Sequence, residues 1–341
     1  MNAIMIGLDL AKNVFQVHGV DAAGQVVLRR QLRRAQVERF FATLAPCRIG
    51  MEACGGAHHW GRVLLRLGHE VRLMPASYVR PYVKRNKTDG RDAEAICEAM
   101  QRPSMRFVPV KSVEQQAVLV VHRTRALMVR QRTMAANGLR AACAEFGVVA
   151  AQGRQGLHRL MQELAANDGP LPAEARWALS LLAGQWQALD AAIGTLEARI
   201  VRLARSDEAA RRLMEIPGVG PLGASLITAT VADARVFRSG RNFAAWLGLT
   251  PRQHASAGKQ RSGSISKQGD RTIRSLLILG ATARLRQERV RGVKDAWLAE
   301  LLARRPAKVV AVALAAKAAR IIWALLANNQ HYRAPVLTRA R

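Results

Sequence analysis

The chain has 341 residues, more than one ordinary domain needs, and 50% of them are hydrophobic, which supplies real cores and excludes a disordered tail. Lysine and arginine number 53 against 24 aspartate and glutamate, and a formal charge of +29 makes a compact chain repel itself unless a polyanion neutralises it. Nucleic acid is the expected partner, bound with an affinity that falls steeply with salt, ahead of a merely solvated basic surface or an acidic protein.

From the N-terminus, Ile4–Asp9, Val14–Val20 and Val26–Arg30 read as strands, with a turn at Gly24. Val37–Leu44 has helical period, Arg48–Glu52 is a short strand, His58–Leu67 a helix, Val71–Met74 a strand and Asp92–Met100 a helix. Three strands followed by alternating helices and strands predict an α/β layer with a mixed sheet. Asp9 and Lys12 arrive too early for a signal peptide.

Residues 113–146 read as one long helix, with Val113, Ala117, Val120, Thr124, Leu127, Met134 and Leu139 at helical spacing and arginines, Arg123 and Arg130 among them, on the other faces. After a break near 147–156, Leu179, Leu182, Trp186, Leu189, Ile193, Leu196, Ile200 and Leu203 form a heptad seam. That seam suits an intramolecular hairpin and a dimer equally, and on either reading the segment is a spacer. Residues 206–330 are helical and basic, and Met214–Ala224 has the look of a helix-hairpin-helix. There Gly218 and Gly220 would let backbone N–H groups approach a phosphate, the plain alternative being a tight turn. The apolar runs Val309–Ala316 and Ile321–Ala327 are short and parted by Lys317 and Arg320, so no membrane span is expected. Cys47, Cys54, Cys97 and Cys143 form no zinc pattern and read as reduced thiols of a cytoplasmic protein.

Asp9 ends the first strand in I-G-L-D-L and Glu52 ends another in I-G-M-E-A. Asp89 and Asp92, in K-T-D-G-R-D-A, share one face of a helix start. Any one of these acids alone reads as a cap or an ion-pair partner. Together, in an acid-poor chain, they suggest one site where hard divalent cations relieve mutual repulsion and assist phosphoryl transfer. Lys84, Arg85, Lys87 and Arg91 flank it, as suits a site acting on a phosphate backbone.

Residues 243–275 run from an apolar stretch through Pro251 into a loop of serine, glycine and cations, then into a helix opening near Asp270 and Arg271. Arg252, Lys259, Arg261, Lys267, Arg271 and Arg274 make a phosphate-binding surface. The loop serines either bond phosphate oxygens, the better reading on chemistry alone, or attack phosphorus with the cations stabilising the developing charge. His254 reads as a phosphate contact or a base.

These motifs, in this order over essentially the full length, resemble the DEDD-type insertion-sequence transposases related to the Piv DNA invertase, the bridge-RNA-guided recombinases. G-L-D-L-A-K, G-M-E-A and N-K-T-D-G-R-D-A-E carry the first half of the resemblance. I-P-G-V-G-P, F-A-A-W-L-G-L-T-P-R-Q and I-S-K-Q-G-D carry the second. The resemblance implies an RNase H-like (RuvC-like) domain over 1–112, a helical coiled-coil spacer over 113–205, a helical C-terminal transposase domain over 206–330 and a basic tail over 331–341. It implies that Asp9, Glu52, Asp89 and Asp92 bind Mg²⁺ (or Mn²⁺) and that Ser256, with Ser262 and Ser264 as further candidates, attacks DNA and forms a phosphoserine link. It further implies donor and target DNA, a structured bridge RNA, a homo-oligomer (dimer or tetramer) and a place beside the bacterial nucleoid. A RuvC-like nuclease without a covalent intermediate and a non-catalytic nucleic-acid scaffold are the rival expectations.

Overall fold

The computed structural model describes residues 3–83, 89–166, 169–256, 259–293 and 295–334, with Asp89, Lys259 and Gln260 described by backbone alone. The chain divides into two compact units, Met1–Glu114 and Gln115–Arg341. The first is built on β1 (Met5–Asp9), β2 (Val14–Val20), β3 (Val26–Arg33), α1 (Val37–Ala42), β4 (Arg48–Glu52), α2 (Ala57–Arg66), β5 (Glu70–Met74), α3 (Ala76–Val79) and α4 (Asp89–Met100). The sheet order is β3-β2-β1-β4-β5, antiparallel on the β3 side and parallel from β1 to β5.

Strand alternation sorts the side chains into two layers. Ile6, Leu8, Phe15, Val17, Leu28, Leu32, Ile49, Met51 and Leu73 face α1 and α2, joining Val37, Phe41, Trp60 and Leu64 in one core. The opposite face carries Met74 into a smaller core with Ile96, Ala99 and Met100 of α4. That helix lies on glycine. A Cβ built on Gly7 would fall 2.0 Å from the Ala93 carbonyl oxygen and 2.7 Å from the Cys97 nitrogen, while one on Gly50 would meet the Met100 sulfur at 2.9 Å. Gly7 and Gly50 are register partners, so the two strands offer a side-chain-free trough.

The second unit contains α5 (Val113–Ala144, which begins at the division), α6 (Gly153–Ala166), α7 (Ala173–Ser206), α8 (Glu208–Met214), α9 (Pro221–Thr230), α10 (Gly240–Trp246), the hairpin β6 (Pro251–Ser256) and β7 (Lys259–Ile265), α11 (Arg271–Arg291), α12 (Ala296–Arg304) and α13 (Ala307–Asn328). The seam residues Leu179 and Trp186 of α7 pack on Leu139 and Cys143 of α5. Arg132–Asp190 and Arg125–Glu197 ion pairs continue the contact in antiparallel order. Within the chain, then, the apolar stripe of α7 is met by α5. His122 of α5 is buried against α9, with its Nε2 3.1 Å from Ser225 Oγ.

The two apolar runs near the C-terminus are one helix, α13, and it is the one helix among the described residues long and apolar enough to cross a membrane. Lys317 and Arg320 do not interrupt it, because Val310, Leu314, Ala315, Ala319, Ile322 and Leu325 share the face that fills the second unit's core.

Two expectations follow. Gly7→Ala places a methyl inside the α4 backbone, and overpacking of this kind costs about 1–3 kcal/mol or more, read as a lower urea midpoint for the first unit. Burial, aided by the Arg125 charge, holds the His122 pKa down at about 4 from 6.5. The unfolded chain therefore takes up this proton first as pH falls. Stability from this group is intact above pH 6.5 and drains away down to about 4, by about 3 kcal/mol in total. In urea titrations across that window, His122→Gln should lose less stability than the wild type.

Candidate active site

Leu8 pairs with Met51 in the parallel β1–β4 ladder, so Asp9 and Glu52 end their strands side by side on the α4 face, about 5 Å apart along the sheet. Both are half-buried. Their charges converge on a third group: the exposed Cys54 thiol is held above its usual 9.0 first by desolvation and then by Glu52, with Asp9 adding to it against a lowering backbone hydrogen bond. Two carboxylates that act on one sulfur occupy one neighbourhood.

The glycine trough brings in α4. Ala93 lies over Gly7, and Cys97 Sγ reaches back toward the Met5 carbonyl, so the helix runs antiparallel to β1 with its first turn toward the Asp9 end. Two strand residues beyond Gly7 advance about 7 Å and four helix residues before Ala93 about 6 Å, which sets the Asp89 backbone near the level of Asp9. Asp92 is half-buried in that first turn. Asp9, Glu52, Asp92 and Arg91 each already engage a neighbour. Among the described residues no three histidine, cysteine or acidic side chains converge closely enough to hold an ion. The Asp89 side chain and all of Lys84, Arg85 and Lys87 lie outside the described residues. The donors are hard carboxylate oxygens, a set that fits Mg²⁺ or Mn²⁺ in kind, with Asp9 and Glu52 as its aligned pair.

The serine-bearing segment is not the irregular loop its composition suggests but the β6–β7 hairpin. Ser256 ends β6 opposite Lys259, and His254 pairs with Arg261. Alternation puts His254, Ser256 and Arg261 on one face and Ser262 on the other with Gln253 and Ala255, while a register shift between Pro251 and Gln253 breaks the alternation before Ser264. All of these side chains are exposed. Gly263 leaves room beneath the His254 ring, whose Nε2 is 3.8 Å from where a Cβ would stand. Ser256 shares its face with His254 and Arg261, and Ser262 does not.

The basic residues divide. Arg252, Arg261, Lys267 and Arg271 are exposed, as are Arg123 and Arg130 on α5. Arg274 is not a phosphate contact. It is 8% exposed, and its guanidinium donates to the carbonyls of Leu247 at 2.9 Å and Gln268 at 2.6 Å, tying α10 to the chain leaving the hairpin. Gly218 is also a packing residue here: at φ 92° it lies against α11, where a Cβ on Gly280 would come 1.7 Å from its carbonyl oxygen. Gly220 precedes α9 with open space around it.

Stability measurements separate the two arginines near the start of α11. Arg274→Leu leaves two carbonyls without their donor and should cost about 2–4 kcal/mol. Arg271→Ala should stay within about 0.5 kcal/mol of wild type while lowering the salt slope of DNA binding by about one.

Residues 210–295 match the sequence model described as "Transposase IS116/IS110/IS902 family", and residues 6–147 match a transposase model of the DEDD IS110 type. A "Probable family 20 transposase" of Pseudomonas aeruginosa is 53% identical over 336 residues, covering 98% of this chain and 99% of the relative. The transposase for insertion sequence element IS1328 of Yersinia enterocolitica is 40% identical, covering 94% and 96%. The transposase for insertion sequence element IS1111A of Coxiella burnetii is 40% identical, covering 96% and 91%. An RNase H-like fold and dependence on a divalent metal go with the DEDD domain. The chain therefore belongs to the IS110/IS116/IS902 family of insertion-sequence transposases, enzymes that cut and rejoin DNA.

Proposed function

We propose that this transposase excises and inserts its element by phosphoryl transfer, in which Asp9, Glu52, Asp89 and Asp92 hold Mg²⁺ or Mn²⁺ and Ser256, reaching across the assembled oligomer, is the nucleophile. The observation that carries the reading is the side-by-side placement of Asp9 and Glu52 at the ends of parallel β1 and β4, under the first turn of α4. The bound ion would neutralise charge on the scissile phosphate. Ser256 Oγ would form a new bond to phosphorus as one DNA oxygen leaves, the serine proton passing to His254 or water. One phosphodiester is exchanged for another, so rejoining needs no outside energy source. Arg261, on the same hairpin face, would stabilise the developing charge.

The basic side chains would hold DNA: the exposed Arg252, Lys267 and Arg271 together with Lys259 around the hairpin, Lys84, Arg85, Lys87 and Arg91 beside the acids, and the exposed Arg123 and Arg130 on α5. The turn before α9, with Gly220, would add a helix N-terminus toward phosphate. We divide the chain functionally into a catalytic domain over 1–112, a spacer over 113–205, a serine-bearing domain over 206–330 and a tail over 331–341. A structured guide RNA of the bridge type and assembly into a dimer or tetramer complete the proposal, both carried by the resemblance to Piv-related recombinases alone, while the +29 charge supports a large polyanion of either kind. A second reading is a RuvC-like metal-dependent nuclease in which water attacks. It is favoured by the same carboxylate pair, which needs no serine to act.

Incubation with element-end DNA, candidate RNA and Mg²⁺ tests this, followed by denaturing electrophoresis. Wild type should give a denaturation-resistant protein–DNA adduct that Ser256→Ala and Asp9→Asn both abolish. Free DNA ends without an adduct would establish the nuclease reading, and an adduct that survives Ser256→Ala would move the nucleophile elsewhere.

A further inference from the structure

The row of residues containing Asp9 and Glu52 does not stop at β1. Asp9 pairs with Gln16 on β2, and Gln16 pairs with Gln31 on β3. Register partners share a face, so Glu52, Asp9, Gln16 and Gln31 form one row across the α4 side of the sheet. The helix covers β1, β2 and β4 but ends its cover there, and β3 is the outermost strand. Leu28 and Leu32 are buried in the core on the far side. Alternation therefore places Arg29, Gln31 and Arg33 on the uncovered Asp9 side, and all three are exposed.

We infer that this open face of β3 is the track along which the DNA strand runs to or from the scissile phosphate, with Arg29 and Arg33 gripping phosphates about four nucleotides apart and the Gln31 amide between them. The inference rests on the reading of Asp9 and Glu52 as the cutting site. Charge complementarity selects the occupant. Neither arginine has an ion-pair partner among the described residues, whereas Arg30, on the opposite face, is stacked on Phe40 at 5.3 Å. Guanidinium groups suit phosphate because they can donate two parallel hydrogen bonds. The scale also fits. Gln31 lies two strand spacings, about 10 Å, from Asp9. Arg29 and Arg33 are about 13 Å apart along the strand, or about four steps of a DNA strand at ~3.4 Å rise each. An acidic site repels the polyanion it must cut, and a cationic run on the same face, a short distance away, offsets that repulsion without crowding the metal.

Charged edge strands also occur simply to block edge-to-edge aggregation. That role is served by either charge sign and does not involve DNA, so the two accounts separate by experiment. The full chain would carry a photo-crosslinking residue at Gln31 and be irradiated with element-end DNA and candidate RNA. The Arg29→Gln/Arg33→Gln variant would be compared with Arg29→Lys/Arg33→Lys and with Asp9→Asn for DNA affinity, salt dependence and cutting, thermal unfolding serving as the check of folding. Expected are crosslinks to DNA within a few nucleotides of the cut and a salt slope lower by about 1.5–2 in the double glutamine variant. Its affinity should be lower on the order of tenfold, with substantial recovery in the double lysine variant. Asp9→Asn should keep the crosslink and lose cutting. Crosslinks only to RNA, or a folded double glutamine variant that binds DNA with wild-type affinity and salt slope, would overturn the track. If Asp9→Asn still cuts, the reading of the acidic site fails instead, and the track falls with it.

Discussion

A missing side chain governs the first unit. Helix α4 approaches the sheet so closely that its Ala93 carbonyl occupies the space a Cβ on Gly7 would take, and the neighbouring Gly50 admits Met100 and Ile96 in the same way. Packed interiors do not deform continuously, so even one methyl in that trough has to be met by a shift of the helix. Everything chemical about the site depends on that shift not occurring. Asp9 and Glu52 are fixed by strand register, but Asp92 and the helix start at Asp89 are placed only by how α4 sits on the two glycines.

The electrostatics follow from the same geometry. A chain with a charge of +29 gathers half-buried carboxylates at the end of two adjacent strands. Burial and mutual repulsion both disfavour that arrangement, and the lifted Cys54 thiol shows their field extending beyond the carboxylates themselves. A hard cation is the natural counter-charge for such a pair, and on the proposed reading nearby arginines would supply the longer-range attraction that brings a polyanion to it. On that reading, acids for the ion and bases for the DNA would divide the labour along a single sheet face.

What was legible in the sequence was what one-sided burial writes into it. Strands β1, β2, β4 and β5 and helix α4 announce themselves because apolar residues recur at the period of the buried face, and Asp9 and Glu52 stand out as charges at the ends of such runs. The β6–β7 hairpin was not legible, since both of its faces are exposed and no alternation marks Gln253 to Ser256 as a strand. Arg274 was misread because a count of cations cannot say which one turns inward to cap carbonyls. The packing role of Gly218 was not legible, because a left-handed glycine in a turn serves a close helix contact and a phosphate contact equally well. The run that became α13 was split at Lys317 and Arg320, although charges on the outward face of a core helix do not interrupt it.

The hairpin shows what that blindness conceals. As a loop, the segment offers three serines of equal standing. As a strand pair, it offers two faces, and only one of them unites a serine with a histidine and an arginine. Pairing thus makes a distinction that composition cannot, because one residue of displacement along a strand exchanges the two faces. The base of the hairpin is held by the buried Arg274 and by backbone bonds from Lys267 to Gly248 and from Ser266 to Thr250, so its faces are set by the packed helices beneath. An exposed serine on a pinned strand can be presented to a phosphate in a defined direction, which a serine in a free loop cannot.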